Sequence, residues 1–324
     1  MPIYLSIVVP LYNEEKSIEP LVWKIVEVGS RFDFTYEIIL VDDGSTDGTW
    51  DWIERLKHAV PELRAIRFRR NYGQTSAMVA GFDHARGRVI VTLDGDLQND
   101  PEDIPFLLKK LDEGYDIVSG WRINRKDHRS RVLPSRVANA IISFTTGVHL
   151  HDYGCSLKAY RAECIKPIKA YGEMHRFFPA LATMTGARVA EVPVNHHPRR
   201  HGVSKYGLNR IFKVLSDVFA INLIIKFSSN PLKGFTYCSL PFVFLGLFFG
   251  ALSSAALIGH WTPGKALFFL LSTALSMTAA IHLVILGLLA ELVVNVSDLS
   301  HTQLCKLTQK TIKEIDQDES RDRS

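Results

Sequence analysis

Arg88-Val89-Ile90-Val91-Thr92-Leu93-Asp94-Gly95-Asp96-Leu97-Gln98 runs from an apolar segment straight into two carboxylates one residue apart. The apolar half reads as a strand buried on both faces, since a half-exposed strand would alternate polar and apolar positions. Leu5-Ser6-Ile7-Val8-Val9, Glu37-Ile38-Ile39-Leu40-Val41, Leu63-Arg64-Ala65-Ile66-Arg67-Phe68 and Asp116-Ile117-Val118-Ser119 also read as strands. Helices are predicted between them, near residues 15–29, 47–58, 73–85 and 102–112. Strands alternating with helices predict an α/β domain with a mostly parallel sheet and helices on both faces. Ligands of such sheets bind beyond the carboxyl ends of the strands. The polar motifs fall there.

Asp94 and Asp96, released together from a strand end, can face one hard cation. Carboxylate oxygens suit Mg2+ or Mn2+, ions that commonly bridge to substrate phosphates, and Gln98 offers a third oxygen. Asp-Gly-Asp alone is a weak signal, because surface turns contain it. Val9-Pro10-Leu11-Tyr12-Asn13-Glu14-Glu15 ends the first strand. Pro10 is expected to stop the ladder there, Tyr12 to offer a ring for a base, and Glu14 an acceptor. Helix capping by Asn13 and Glu14 is the alternative. Leu40-Val41-Asp42-Asp43-Gly44-Ser45-Thr46-Asp47 ends the second strand. Asp43 suits a base or ribose edge, whereas Ser45, Thr46 and Asp47 suit a helix start.

The 324 residues are 47% hydrophobic, enough for a sizeable core, and a net charge of +4 carries no nucleic-acid signal. The four cysteines form no C-x-x-C pair, which argues against structural zinc and against a disulfide scaffold. Met1-Pro2-Ile3-Tyr4 has no signal-peptide character. Phe235 to Ile258 holds no charged residue, and in Ala266 to Ala290 only His282 can ionise. Each run exceeds the roughly 20 residues that cross a bilayer core, so a transmembrane hairpin over 233–293 is expected. Lys213, Lys226 and Lys233 precede it, and Lys306, Lys310 and Lys313 follow. By the positive-inside rule the domain and both termini are expected to be cytoplasmic, in a multi-pass protein of the cell (inner) membrane. Apolar residues at helical spacing among basic ones make 132–148 and 206–232 interfacial amphipathic helices, with packing on the core as the alternative. The tail, 294–324, is polar, and its end is expected to be disordered.

The three strand-end motifs, in this order and spacing, resemble the family 2 glycosyltransferases of GT-A fold. Arg70-Asn71-Tyr72-Gly73-Gln74, Asp152-Tyr153-Gly154-Cys155-Ser156-Leu157-Lys158-Ala159-Tyr160-Arg161 and Gly202-Val203-Ser204-Lys205-Tyr206 narrow the likeness. With them the chain resembles polyprenyl-phosphate sugar transferases, particularly the bacterial undecaprenyl-phosphate aminoarabinose type and, more distantly, dolichyl-phosphate mannose synthases. The resemblance spans residues 3 to about 293 and places the GT-A domain at 1–205. It implies that Pro10, Tyr12, Glu14, Asp43, Asp94 and Gly95 bind a nucleotide-sugar, with Lys205 closing over the diphosphate. Asp94, Asp96 and Gln98 would hold Mg2+ or Mn2+. Arg122, Arg131, Ser135 and Arg136 would hold the acceptor phosphate, and Asp96, Arg122 and Lys205 would carry catalysis. A UDP-sugar is favoured over a GDP-sugar, and a homo-oligomer, as large as a tetramer, is expected.

Elementary chemistry agrees. Joining a diphosphate donor to a phosphate acceptor brings two polyanions together, and arginine forks suit phosphate oxygens. The acceptor is anionic at neutral pH, so in-line displacement with inversion needs no strong base. His196, His197 and His201 could form a zinc cluster, but the carboxylates already supply a cation site. Trp23, Trp50 and Trp52 read as packing residues, and Trp121, beside Arg122, as a sugar platform. A processive synthase would carry a Gln-x-x-Arg-Trp motif, which the sequence lacks. The remaining rivals are transfer from GDP-mannose and, in another class, an inactive membrane protein that binds nucleotide-sugars.

Overall fold

A computed structural model of the chain describes residues 2–123, 142–143, 146–168, 170, 172–183, 186–198, 231–259 and 261–296. It divides into two compact units, Met1–Ile221 and Asn222–Ser324. In the first, β1 (Leu5–Leu11), α1 (Ile18–Gly29), β2 (Tyr36–Asp42), α2 (Thr49–Ala59), β3 (Leu63–Arg67), α3 (Gln74–His84) and β4 (Val89–Thr92) alternate as expected. A 3-10 turn at Pro101–Asp103, α4 (Ile104–Asp112) and β5 (Ile117–Trp121) follow. Next come β6 (Lys158–Arg161), α5 (Ala162–Ile165), a second 3-10 turn, α6 (Phe178–Thr183) and β7 (Val189–Pro193).

The sheet has seven strands in the order β3-β2-β1-β4-β6-β5-β7. All neighbours are parallel except β6, which runs antiparallel between β4 and β5. Side chains two apart share a face of a strand, and β1 sorts accordingly. Leu5, Ile7, Val9 and Leu11 pack with Leu21, Ile25, Leu107 and Leu111 of α1 and α4, whereas Val8 packs with Ala77, Met78 and Phe82 of α3. Helices therefore cover both faces, which leaves the carboxyl ends of the strands as the edge where ligands of such sheets bind.

Two expectations are corrected. Pro10 does not stop the ladder: β1 continues through it to Leu11, with Pro10 opposite Val41. Val8 O accepts from Leu93 N, and Leu11 O from Asp43 N. By the two-residue period Pro10 faces the β4 side, where pairing has ended at Val8, so its missing N–H breaks nothing. β6 and β7 were also not among the predicted strands. β6 carries a charged residue at its buried start, and every position of β7 is at least partly exposed.

In the second unit, α7 (Pro231–Ile258) and α8 (Pro263–Val296) form the expected hairpin of two apolar helices. The 28 residues of α7 extend about 42 Å. Only 17% of its most apolar window is buried, and 11% of that in α8. A core helix of a soluble protein would bury this surface, whereas Phe248, Leu271 and Leu275 are more than half exposed. Small residues let the helices approach: a Cβ on Gly287 would lie 2.9 Å from Phe235 Cβ. Of 132–148 only 142–143 and 146–148 are described, and 206–230 and 297–324 lie outside the described residues.

Candidate active site

The loops after β1, β2 and β4 meet at one edge of the sheet. Gly95 has no side chain to keep β4's loop off β1: an added Cβ would collide with Leu11 Cδ2 and sit 3.5 Å from Glu14 Cγ and 3.6 Å from Pro10 O. The β2 loop joins through Asn13, whose backbone N–H donates to Ser45 Oγ (2.9 Å) and whose Oδ1 accepts from Thr46 N (2.8 Å). Asn13 has φ 55°. It ties two loops together rather than capping α1. Glu14 N donates to Thr49 Oγ1 at 2.9 Å, and Asp47 Oδ1 accepts from Thr49 N at 3.0 Å, so Asp47 does serve the start of α2.

Asp43 is 3% exposed, and its two oxygens accept from Tyr72 N (2.7 Å) and Gly73 N (2.9 Å). It thereby fixes the turn after β3 against the end of β2. Burial raises its carboxyl above the usual range, and the two N–H donors only partly offset this.

Asp94 is half-buried and accepts from Gln74 Nε2 at 2.7 Å on Oδ1. Burial, then the neighbouring Asp96 charge, pushes its carboxyl up to about 6. The charges of Arg122 and Lys158 pull the other way. Asp96 is 7% exposed, and its Oδ1 accepts from Gln98 N at 3.1 Å. Between them Leu97 has φ 62°, a left-handed conformation that costs a non-glycine residue about 1–2 kcal/mol. Gln98 turns its amide nitrogen to His197 O at 3.4 Å.

The loop is braced from behind. Asn99 Oδ1 accepts from Ser156 Oγ at 2.6 Å, and Asp100 takes Lys24 Nζ at 2.8 Å and His197 Nε2 at 2.7 Å. Asp103 accepts from the backbone and amide of Asn195 at 2.7 and 2.9 Å. His196 and His197 thus line the acidic loop. Among the described residues no three His, Cys, Asp or Glu side chains gather as a metal cluster.

Arg122, at the end of β5, forks onto Asp152: Nε to Oδ2 at 2.6 Å and Nη2 to Oδ1 at 2.9 Å. Lys158 is 3% exposed, donates to Tyr153 O at 3.0 Å, and is pushed down to about 8 by burial. Trp121 is covered by His151, stacked 4.3 Å away at 16°. Trp50 and Trp52 pack on the core, but Trp23 is 45% exposed and does not. Arg131, Ser135, Arg136 and Lys205 lie outside the described residues, as do Arg199, Arg200 and His201.

Pro10, Glu14 and Gly95 are thus brought together, with Asp43 reached through the 72–74 turn. Gln74, Asn99 and Asp152 were not singled out from the sequence. Gln74 and Asp152 sit inside quoted motifs, so the signal was present without a partner to give it meaning.

The pattern of glycosyl transferase family 2 matches residues 6–168, just over half of the chain, and spans all three strand-end loops. The chain belongs to glycosyl transferase family 2. This glycosyltransferase is 47% identical over 261 residues to the dodecaprenyl-phosphate galacturonate synthase of Rhizobium johnstonii, covering 78% of its own chain and 75% of that one. It is 38% identical over 250 residues to the undecaprenyl-phosphate 4-deoxy-4-formamido-L-arabinose transferase of Edwardsiella ictaluri, covering 77% and 75%. Among solved structures it resembles glucosyl-3-phosphoglycerate synthase from Mycobacterium tuberculosis in complex with Mn2+, UDP and phosphoglyceric acid. There the TM-score is 0.53 at 19% identity, over 68% of this chain and 78% of that one. At that identity the likeness bears on the fold alone, and it agrees with the GT-A expectation.

Proposed function

We propose that this glycosyltransferase moves a sugar from a nucleoside diphosphate, uridine ahead of guanosine, to the phosphate of a membrane polyprenyl lipid. The observation that carries the reading is the meeting of Asp94 and Asp96 with the β1 loop, and through the 72–74 turn with Asp43, along one edge of the sheet. Relatives that share most of the chain are polyprenyl-phosphate sugar transferases by name. The apolar hairpin supports an acceptor that lives in the bilayer, with the domain and both ends on the cytoplasmic side.

The acidic pair fits a divalent cation. A carboxyl held near 6 by burial and a like charge is a site where added positive charge lowers the energy. The fold neighbour carries Mn2+ or Mg2+ with UDP. Asp94 and Asp96, with Gln98, would hold the ion, which when bound supplies Lewis-acid stabilisation of the departing diphosphate. Arg122, oriented by Asp152, and Arg131, Ser135 and Arg136 hold the acceptor phosphate, and Lys205 closes over the donor. Catalysis then rests on alignment for in-line displacement with inversion, since the attacking oxygen is already anionic. The sugar is a uronic acid ahead of a formamido pentose, following the higher identity to the galacturonate synthase.

The test is transfer of label from UDP-galacturonate, and in parallel from UDP-formamidoarabinose, into organic-extractable lipid, with full-length protein, polyprenyl phosphate and Mn2+. Asp96→Asn should cut the yield by about 10²-fold or more. Arg131→Ala should raise the polyprenyl phosphate requirement while nucleotide binding holds. Equal yields from wild type and Asp96→Asn would sink the mechanism.

A further inference from the structure

Three consecutive residues connect the two acidic half-sites. Tyr72 N and Gly73 N donate to the Asp43 oxygens, and the next residue, Gln74, donates its side-chain amide to Asp94 Oδ1 at 2.7 Å. Gln74 is the first residue of α3, whose next residue, Thr75, is buried and bonded through Oγ1 to His175 Nδ1 at 2.9 Å. The base of the Gln74 side chain is therefore fixed on both sides along the chain. Its amide is aimed at one oxygen of one carboxylate.

Ser156 meets the Asp94 carboxyl from the β6 side. Its hydroxyl bonds the carboxyl, which favours the charged form, and also lies 2.6 Å from Asn99 Oδ1. Asn99 Oδ1 in turn reaches only the backbone N–H of Asp94, at 3.4 Å. The main chain of Asp94 is thus held from the β6 side, and its carboxylate is met there by Ser156 and from the α3 side by Gln74, which fixes Oδ1. A carboxylate with one oxygen fixed by an amide presents the second in a set direction, and such outer partners are worth about 10–100-fold in metal affinity.

We propose that Gln74 is a positioning residue that orients Asp94 for the divalent cation. The proposal rests on the metal reading above. It assigns Gln74 no contact with the sugar, and it places the link between nucleotide and metal half-sites in residues 72–74.

The experiment is Mn2+ binding to detergent-solubilised full-length protein, by calorimetry or loss of the free-ion EPR signal, for wild type, Gln74→Met and Gln74→Ala. Methionine keeps the length and removes the donor, and alanine covers the case in which methionine disturbs packing. Both variants should bind Mn2+ about tenfold more weakly than wild type at an unchanged Tm. The Mn2+ concentration for half-maximal transfer should rise in step, with kcat recovered at saturating ion. Wild-type binding with unchanged affinity in both variants would overturn the role of Gln74 alone. Wild type that binds no Mn2+ would overturn the metal reading, and this inference with it.

Discussion

Asp43 and Asp94 stand at the ends of β2 and β4, two strands that flank β1, yet the protein treats them oppositely. Both carboxyls are raised by burial. Asp43 is answered from within, by two backbone N–H groups at 2.7 and 2.9 Å. Asp94 receives side-chain donors instead, the Gln74 amide at 2.7 Å and the Ser156 hydroxyl. The Asp96 charge beside it ranks second only to burial in raising it, whereas Asp42 is a minor influence on Asp43. The difference teaches how one sheet edge can be both rigid and hungry for a cation. The acid that builds the loop is satisfied by the loop, whereas Asp94 and Asp96 keep two like charges side by side, offset in part by Arg122 and Lys158, where a bound cation adds balance.

Asp43→Ala should show the larger effect on stability. It strands the Tyr72 and Gly73 donors and frees the turn, at a cost of about 2–3 kcal/mol. Thermal unfolding should report a drop of several degrees. Asp94→Asn should do the reverse. The amide still accepts from Gln74 but no longer repels Asp96, so stability at pH 7 should hold or rise by about 1 kcal/mol. Transfer should be lost all the same. If Asp94→Asn destabilised the protein as much as Asp43→Ala, the contrast between the two acids would be wrong.

The sequence carried this contrast only halfway. The apolar runs of β1, β2 and β4 are legible because strands buried on both faces have no reason to alternate. Asp43, Asp94 and Asp96 are legible because a strand must release its polar residues at its end. What decides their behaviour comes from far along the chain: the turn at 72–74, Ser156 on the lead-in to β6, and the Asn195–His197 segment after β7. β6 hides because its buried start is Lys158, whose ammonium bonds Tyr153 O. β7 hides because each of its positions keeps some exposure. Pro10 misled for a related reason. A proline ends a ladder only where its N–H was needed, and which side of β1 it faces depends on where β4 stops.

The smallest effect isolates the charge itself. An aspartate is near 3.9 when unfolded, and Asp94 in the fold is at about 6. A carboxyl raised by folding contributes stability that is complete below about pH 4 and is lost as pH rises through about 6. A cation prefers the ionised form, so its contribution runs the other way. At pH 5 only about a tenth of such groups are ionised, which weakens ion binding about tenfold and removes about 1.4 kcal/mol of ion-dependent stabilisation. The rise in Tm on adding saturating Mn2+ should therefore be smaller at pH 5 than at pH 7, by a few degrees at most. Asp94→Asn, which has no proton to release, should show no such step across that window. Scans at pH 5, 6 and 7, with and without Mn2+, would decide it. An equal Mn2+ effect at pH 5 and pH 7 in wild type would mean that Asp94 is already balanced, as Asp43 is, and that the two strand ends differ less than their hydrogen bonds imply.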